Sequence, residues 1–282
     1  MKTLKSLIPG IVFAACSCQA ASAAELRSST LDAWNVYLKK VDLQLQERAE
    51  RHRPFLWMDE SPDRAARVRR GEVVVAPAVG RGTQEVPSGL IHDWIGVIFI
   101  PGATIESVSA VIHDYDDYQR IYRPVVVKSK AISSTDTSQQ FQMVWQRKAF
   151  FVTAAMQGEY QSRDVPLDAR HGYTVAQAVE LREIAAYGHK NERLLPPNTG
   201  SGFIWGIHSI ARFDQRDGGV YMELEALALS RDVPSSLAWL VNPFVNRLSI
   251  SSLTTTLRQT RDAVSSPERL RVQTAALPAT VR

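Results

Sequence analysis

The chain has 282 residues, 45% of them hydrophobic and 22% charged, with a formal charge of +4. These proportions suit a folded globular protein and exclude a disordered or collagen-like chain. The length fits one large domain or two small ones, and the charge is too dilute to argue for a nucleic-acid partner.

Residues 1–24 are expected to be a secretory signal peptide. Lys2 and Lys5 supply the positive start, and Leu7, Ile8, Ile11, Val12, Phe13, Ala14 and Ala15 form a short apolar run broken by Pro9 and Gly10. Ala21, Ser22, Ala23 and Ala24 supply the small-residue cleavage site. The run is shorter than the roughly 20 apolar residues a bilayer span needs. A periplasmic or secreted location follows. The stretch Phe13-Ala14-Ala15-Cys16 also resembles a lipoprotein cleavage box, so anchoring at Cys16 is the alternative. Cys16 and Cys18 are the only cysteines, and cleavage behind Ala23 removes both, together with Lys2 and Lys5. A mature chain of that kind has no disulfide, thiolate nucleophile or cysteine zinc ligand.

Residues 25–88 form an N-terminal extension. Leu31, Trp34, Leu38, Val41 and Leu45 recur at helical spacing, which predicts a helix over residues 30–53 with Thr30 as cap and Arg53-Pro54 as stop. Residues 54–88 are rich in proline and glycine, with one short strand near Val73-Val74-Val75. Arg64, Arg67, Arg69 and Arg70 make a basic cluster there, either a solvated face or a contact for an anionic membrane surface or headgroup.

From Gly89 the pattern changes. Strands are predicted near 90–100, 124–133, 139–147, 150–161, 171–184, 202–213 and 219–229. A short helix over 104–113 takes Thr104 as cap, with Ser107 completing only half a capping box. A second short helix covers Asp114 to Ile121. The turn signal Asp217-Gly218-Gly219, read as a connection from Asp214 to Gly219, pairs Phe213 with Val220. That register sets Ala211 against Met222, Ser209 against Leu224, Ile207 against Ala226 and Trp205 against Ala228 on one apolar face. His208 then meets Glu225, and Arg212 meets Tyr221, on a face expected to be solvated. The last helix is expected to be capped by Asn242, with Pro243 at its first position, and to end before Pro267. Residues 267–282 read as a flexible tail.

This order of elements resembles the START-like, or polyketide cyclase/Bet v 1-like (SRPBCC), superfamily. The resemblance runs over residues 89–266. It rests on Phe99-Ile100-Pro101-Gly102-Ala103-Thr104 entering the first helix, Asp114-Tyr115-Asp116-Asp117-Tyr118 opening the second, Tyr122-Arg123-Pro124 entering the next strand, and the closing helix Leu248 to Ala263. It implies an α+β helix-grip fold, in which a curved seven-stranded antiparallel sheet holds a long C-terminal helix over a cavity. The family has no universal catalytic motif, so no catalytic residue carries over. The resemblance does not reach residues 25–88.

No metal or cofactor is expected from the motifs. The six histidines form no H-E-x-x-H pair. His113-Asp114-Tyr115-Asp116-Asp117 reads as a helix end followed by acidic capping. G-x-S-x-G, G-x-G-x-x-G and P-loop sequences are absent. Trp145, Met156, Trp205, Met222, Leu224, Leu253 and Leu257 are the expected lining of an inner lumen, with the small Ala154, Ala211, Ala226 and Ala228 leaving room. Leu194 and Leu195, in the long connection from Ala185 to Ser201, are the candidate gate. The resulting expectation is a carrier for a hydrophobic small molecule or lipid. The alternatives are an enzyme of cyclase or hydrolase type, with Arg182 or Glu180 as its polar group, and an envelope interaction protein with a filled core.

Overall fold

A computed structural model describes residues 24–149, 152–232 and 235–266. The expected signal up to residue 23, and the tail from residue 267, lie outside them. In chain order the elements begin with β1 (Ala24–Glu25), α1 (Ser28–Ala49), a 3-10 turn (Trp57–Glu60), α2 (Pro62–Arg69), β2 (Val74–Pro77) and β3 (Thr83–Val86). Next come β4 (Gly89–Pro101), α3 (Ile105–Ile112), a 3-10 turn (Tyr115–Asp117) and α4 (Tyr118–Ile121). Then follow β5 (Val126–Ser134), β6 (Ser138–Ala149), β7 (Val152–Pro166), β8 (His171–Ala185), β9 (Arg193–Leu194), β10 (Thr199–Gly200), β11 (Gly206–Arg216), β12 (Gly219–Arg231) and α5 (Ser235–Val264).

All seven principal strands stand in one antiparallel sheet, in the order β4-β12-β11-β8-β7-β6-β5, with α5 closing the chain. This is the helix-grip arrangement expected from the resemblance. Three short strands enlarge the sheet beyond seven: β2 and β3 follow one another along β4, and β9 folds back on β8.

The β11–β12 hairpin corrects the register expected from sequence. Arg216 pairs with Gly219, Phe213 with Met222, Ala211 with Leu224, Ser209 with Ala226 and Ile207 with Ala228. The connection is a two-residue turn. Asp217 and Gly218 both have positive φ, at 54° and 76°, which gives the tight Asp-Gly turn that matches strand twist. The two-residue slip leaves the side chains within β11 and β12 on their expected faces, because strand faces alternate with period two.

Helix ends also differ. α1 starts at Ser28, and the Thr30 hydroxyl donates to the Pro87 carbonyl at 2.6 Å instead of capping. The Thr104–Ser107 capping box is complete, since the Ser107 hydroxyl accepts from the Thr104 N–H and the Thr104 hydroxyl accepts from Ser107 N–H. α5 begins at Ser235, so Asn242 and Pro243 lie within it and do not start it.

The outer face of the sheet is covered, against expectation. Trp34, Tyr37, Val41 and Leu45 of α1 pack on Ile91, Ile210, Leu227 and Leu229. Leu56, Met58, Ala65 and Val68 pack on Val74, Val97 and Tyr221. The apolar stripe of α1 is thus buried on the sheet, so residues 25–88 become part of the main fold.

Candidate functional site

The inner face carries two apolar clusters. The first joins β4, β11 and β12 to α3 and α5 through Ile98, Ile100, Val108, Val111, Phe213, Met222 and Leu257. α5 approaches closely at Gly96, where a Cβ would meet Leu253 and Leu257 methyl carbons at 2.9 Å. The second cluster lies on β6, β7 and β8. There Phe141 stacks between Tyr115, at 3.9 Å between ring centroids, and Tyr160, at 5.0 Å. Trp145 and Met156, direct cross-strand partners, belong to it, and the Trp145 indole N–H donates to the Tyr160 hydroxyl at 2.9 Å. Burial pushes the Tyr115 phenol up to about 12 and raises Tyr160 as well, so both stay neutral and act as hydrogen-bond groups.

The site residues expected from sequence divide between these clusters. Trp145 and Met156 sit in the second; Met222 and Leu257 sit in the first, with Leu224 half-buried beside it. Leu253 is buried on α5 over Gly96. Trp205 is the exception. It precedes β11 and packs against the outer cluster made by α1, and its buried indole N–H has no hydrogen-bond partner among the described residues.

Half-buried apolar side chains border both inner clusters and form a seam on this face: Met143, Ile204 and Ile207 pack against the second cluster and Leu224 against the first. Arg147 lies on the same face as Trp145, two residues along β6, and its guanidinium donates to the Ser252 hydroxyl of α5. No carboxylate among the described residues pairs with it, and burial lowers its pKa. It is a half-buried cation on the face that carries Trp145 and Met156. Sequence reading missed it because alternation alone does not distinguish an inward arginine from a strand-end arginine.

Other polar candidates lie elsewhere. Glu180 and Arg182 face away from buried Leu181, at 3.7 Å from one another, so neither enters the inner face. Glu183 accepts the N–H and hydroxyl of Ser201. His113 pairs with Asp164, Asp116 accepts from the Ala131 N–H, and Asp117 binds Arg120. Among the described residues no group of three His, Cys, Asp or Glu side chains is placed to hold a metal. Arg64 stacks on Trp57, Arg67 and Arg70 bind Glu72, and Arg69 reaches Asp217, so the basic cluster is internally paired.

The connection after β8 is built, not slack. Leu194 pairs with Ile184 as β9, the Arg182 guanidinium donates to the Leu195 carbonyl, and β10 pairs with Ala24 and Glu25 of β1. Leu194 is 38% exposed and Leu195 half-buried.

The outer face contains a buried charge network in place of a solvated surface. Arg212, 1% exposed, donates to Glu223 and to Glu225, each at 2.7 Å. The Met58 N–H donates to Glu223, and Arg48 of α1 binds Glu60 and the Pro54 carbonyl. Asp93 accepts from the Tyr37 hydroxyl at 2.7 Å while its other oxygen has no partner among the described residues. The sequence reading put Arg212 and Glu225 on this face but expected it to be solvated, because nothing local in the sequence shows that α1 covers it.

No protein-family model matches the chain, and no curated protein matches it by sequence. Among solved structures it is similar to a STAR-related lipid transfer protein from Xanthomonas axonopodis, at 17% identity and TM-score 0.43, over 69% of this chain and 99% of that one. It is similar to human STARD10 at 10% identity and TM-score 0.43, over 71% and 80% of the two chains. It is also similar to the di-domain ARO/CYC StfQ from the steffimycin biosynthetic pathway, at 15% identity and TM-score 0.44, spanning 64% of this chain and 52% of that one. At these values the assignment of the helix grip rests on the strand order and register described above.

Proposed function

We propose that this protein is an exported carrier which holds a hydrophobic small molecule, of lipid or isoprenoid type, between the inner face of the sheet and α5. The observation that carries this reading is the set of half-buried apolar side chains Met143, Ile204, Ile207 and Leu224 on the inner face, with Arg147 on the same face of β6. An apolar guest covering that seam gains roughly 25 cal/mol per Å² of apolar surface removed from water. Arg147, which pairs with no carboxylate among the described residues, favours a guest with an anionic or strongly polar end. Trp145, Met156, Met222, Leu224, Leu253 and Leu257 are proposed as the lining, and Leu194 with Leu195 as the movable edge. The N-terminal signal motif supports export to the periplasm.

Native mass spectrometry of protein purified from its own envelope tests the reading. The expected result is co-purifying lipid, with Arg147→Gln weakening an anionic fatty-acid probe several-fold more than its methyl ester. Absence of any apolar ligand, and equal affinity of both proteins for both probes, rejects it. N-terminal sequencing of the same material is expected to begin at Ala24 or Glu25; a lipid-modified Cys16 replaces the soluble carrier by an anchored one.

A further inference from the structure

On the outer side of the sheet, away from the seam, a cleft of about 560 Å³ opens between α1 and strands β6, β7, β8 and β11. α1 contributes Asp42 and Gln46, and Glu50 at its C-terminal end continues the stripe at i+8. The sheet contributes Gln161 and Arg163 from β7, Tyr173 and Gln177 from β8, and His208 from β11. The rim is exposed, but His208 is only 3% exposed, and neither of its ring nitrogens has a hydrogen-bond partner among the described residues. Buried ring nitrogens are rarely left unmatched, because each costs the desolvation of a polar atom.

We infer that this cleft is a binding site for a neutral polyhydroxylated small molecule, a sugar or sugar-like polyol, with His208 at its floor. The chemistry of the walls selects that class. A neutral imidazole offers one donor and one acceptor, and a hydroxyl group answers both. Burial holds the His208 ring below its usual pKa, against the pull of Asp42 and Glu225, and so keeps it neutral. Around it the lining offers carboxylates at Asp42 and Glu50, amides at Gln46, Gln161 and Gln177, the Tyr173 phenol and the Arg163 guanidinium, with the Gln46 amide donating to Glu50 at 2.7 Å; such a mix of acceptors and donors matches hydroxyls on successive carbons. An inorganic anion would face Asp42 and Glu50, and a metal cation or ammonium would face Arg163. A wholly apolar guest would strand the polar groups. The ring of Tyr173 with Val175 and Leu45 gives a small apolar patch for the C–H face of a sugar ring. The volume lies in the range of small-molecule sites.

The test uses the whole mature chain labelled with nitrogen-15 at histidine, with the ring signals followed by NMR. The probes are D-glucose, N-acetyl-D-glucosamine and cellobiose, with glycerol, sodium phosphate and a fatty acid as controls. A saturable shift of the His208 signal with at least one sugar is expected, tenfold weaker or more in Asp42→Asn. Asp42 is exposed, so that variant keeps the fold where a change at buried His208 risks losing it. His208→Gln serves to assign the signal. No saturable shift with any sugar, an equal response to glycerol or phosphate, or unchanged affinity in Asp42→Asn overturns the inference. The fatty-acid control separates the two sites: its binding at the inner seam leaves the His208 signal unmoved, and failure of either site leaves the other's result standing.

Discussion

At the scale of single residues, the outer-face network sets the pH response. Asp93 is buried, and desolvation together with the nearby Glu225 raises its carboxyl to about 7, against the opposing effects of Tyr37 and Arg212. The unfolded chain releases that proton near pH 4, whereas the folded chain keeps it until near neutrality. Stability from this group is therefore complete below about pH 4 and is lost as pH rises to about 7, by an amount on the order of 4 kcal/mol. Asp93→Asn cannot ionise and still accepts from Tyr37. Its Tm is expected to exceed that of the parent at pH 8, with the difference shrinking towards pH 4. A constant difference across that range would show that Asp93 does not titrate with folding. Arg212 is the converse case. Arg212→Met leaves Glu223 and Glu225 buried without their cation, at a cost of about 3–5 kcal/mol in urea unfolding. Changing all three to apolar residues of similar volume is expected to recover most of that loss.

At the scale of elements, the β11–β12 turn shows how local chemistry fixes register. Gly218 has φ of 76° and no atom within 4 Å of a built Cβ, so Gly218→Ala meets conformational strain but no clash. The expected cost is roughly 1–2 kcal/mol, read as a lower Tm with unchanged circular dichroism. A neutral result would mean that the turn relaxes to another type. The seven strands and the closing helix were legible because period-two alternation and turn residues mark them locally. The register slipped by two because either spacing puts Ala211, Phe213 and Met222 inside, and only the positive φ at Asp217 chooses between them. α1 was legible as a helix but not as a wall. Its stripe of Trp34, Val41 and Leu45 says that something must be covered, and sequence does not say what. Trp205 was misplaced for the related reason that it stands just outside its strand, where alternation no longer binds. Arg147 and His208 were not legible as site residues at all, since their roles come from partners they lack in space.

At the scale of the whole molecule, the extension and the sheet form one cooperative body. Trp34→Ala removes a side chain 6% exposed that packs over Gly206, and is expected to cost about 3–5 kcal/mol. That loss should appear in the unfolding of the sheet, not of α1 alone. The stronger form of the argument removes residues 25–88 altogether. A chain beginning at Gly89 exposes Ile91, Ile210, Leu227 and Leu229, and opens the Arg212–Glu223–Glu225 network to water on one side. It also loses β2 and β3, which leaves β4 as a long hydrophobic edge prone to pairing with another copy. The expected outcome is aggregation or a collapsed state without a cooperative melt, whereas the chain from Ala24 melts in one transition whether followed at tryptophan or by far-ultraviolet circular dichroism. Trp34 and Trp57 report on the extension while Trp145 reports on the inner face, so single-tryptophan variants resolve the two regions. Coincident melting at all three positions is the signature of one unit. An early transition at Trp34 and Trp57, with Trp145 intact, would instead make residues 25–88 a cover that detaches while the grip beneath it stays folded.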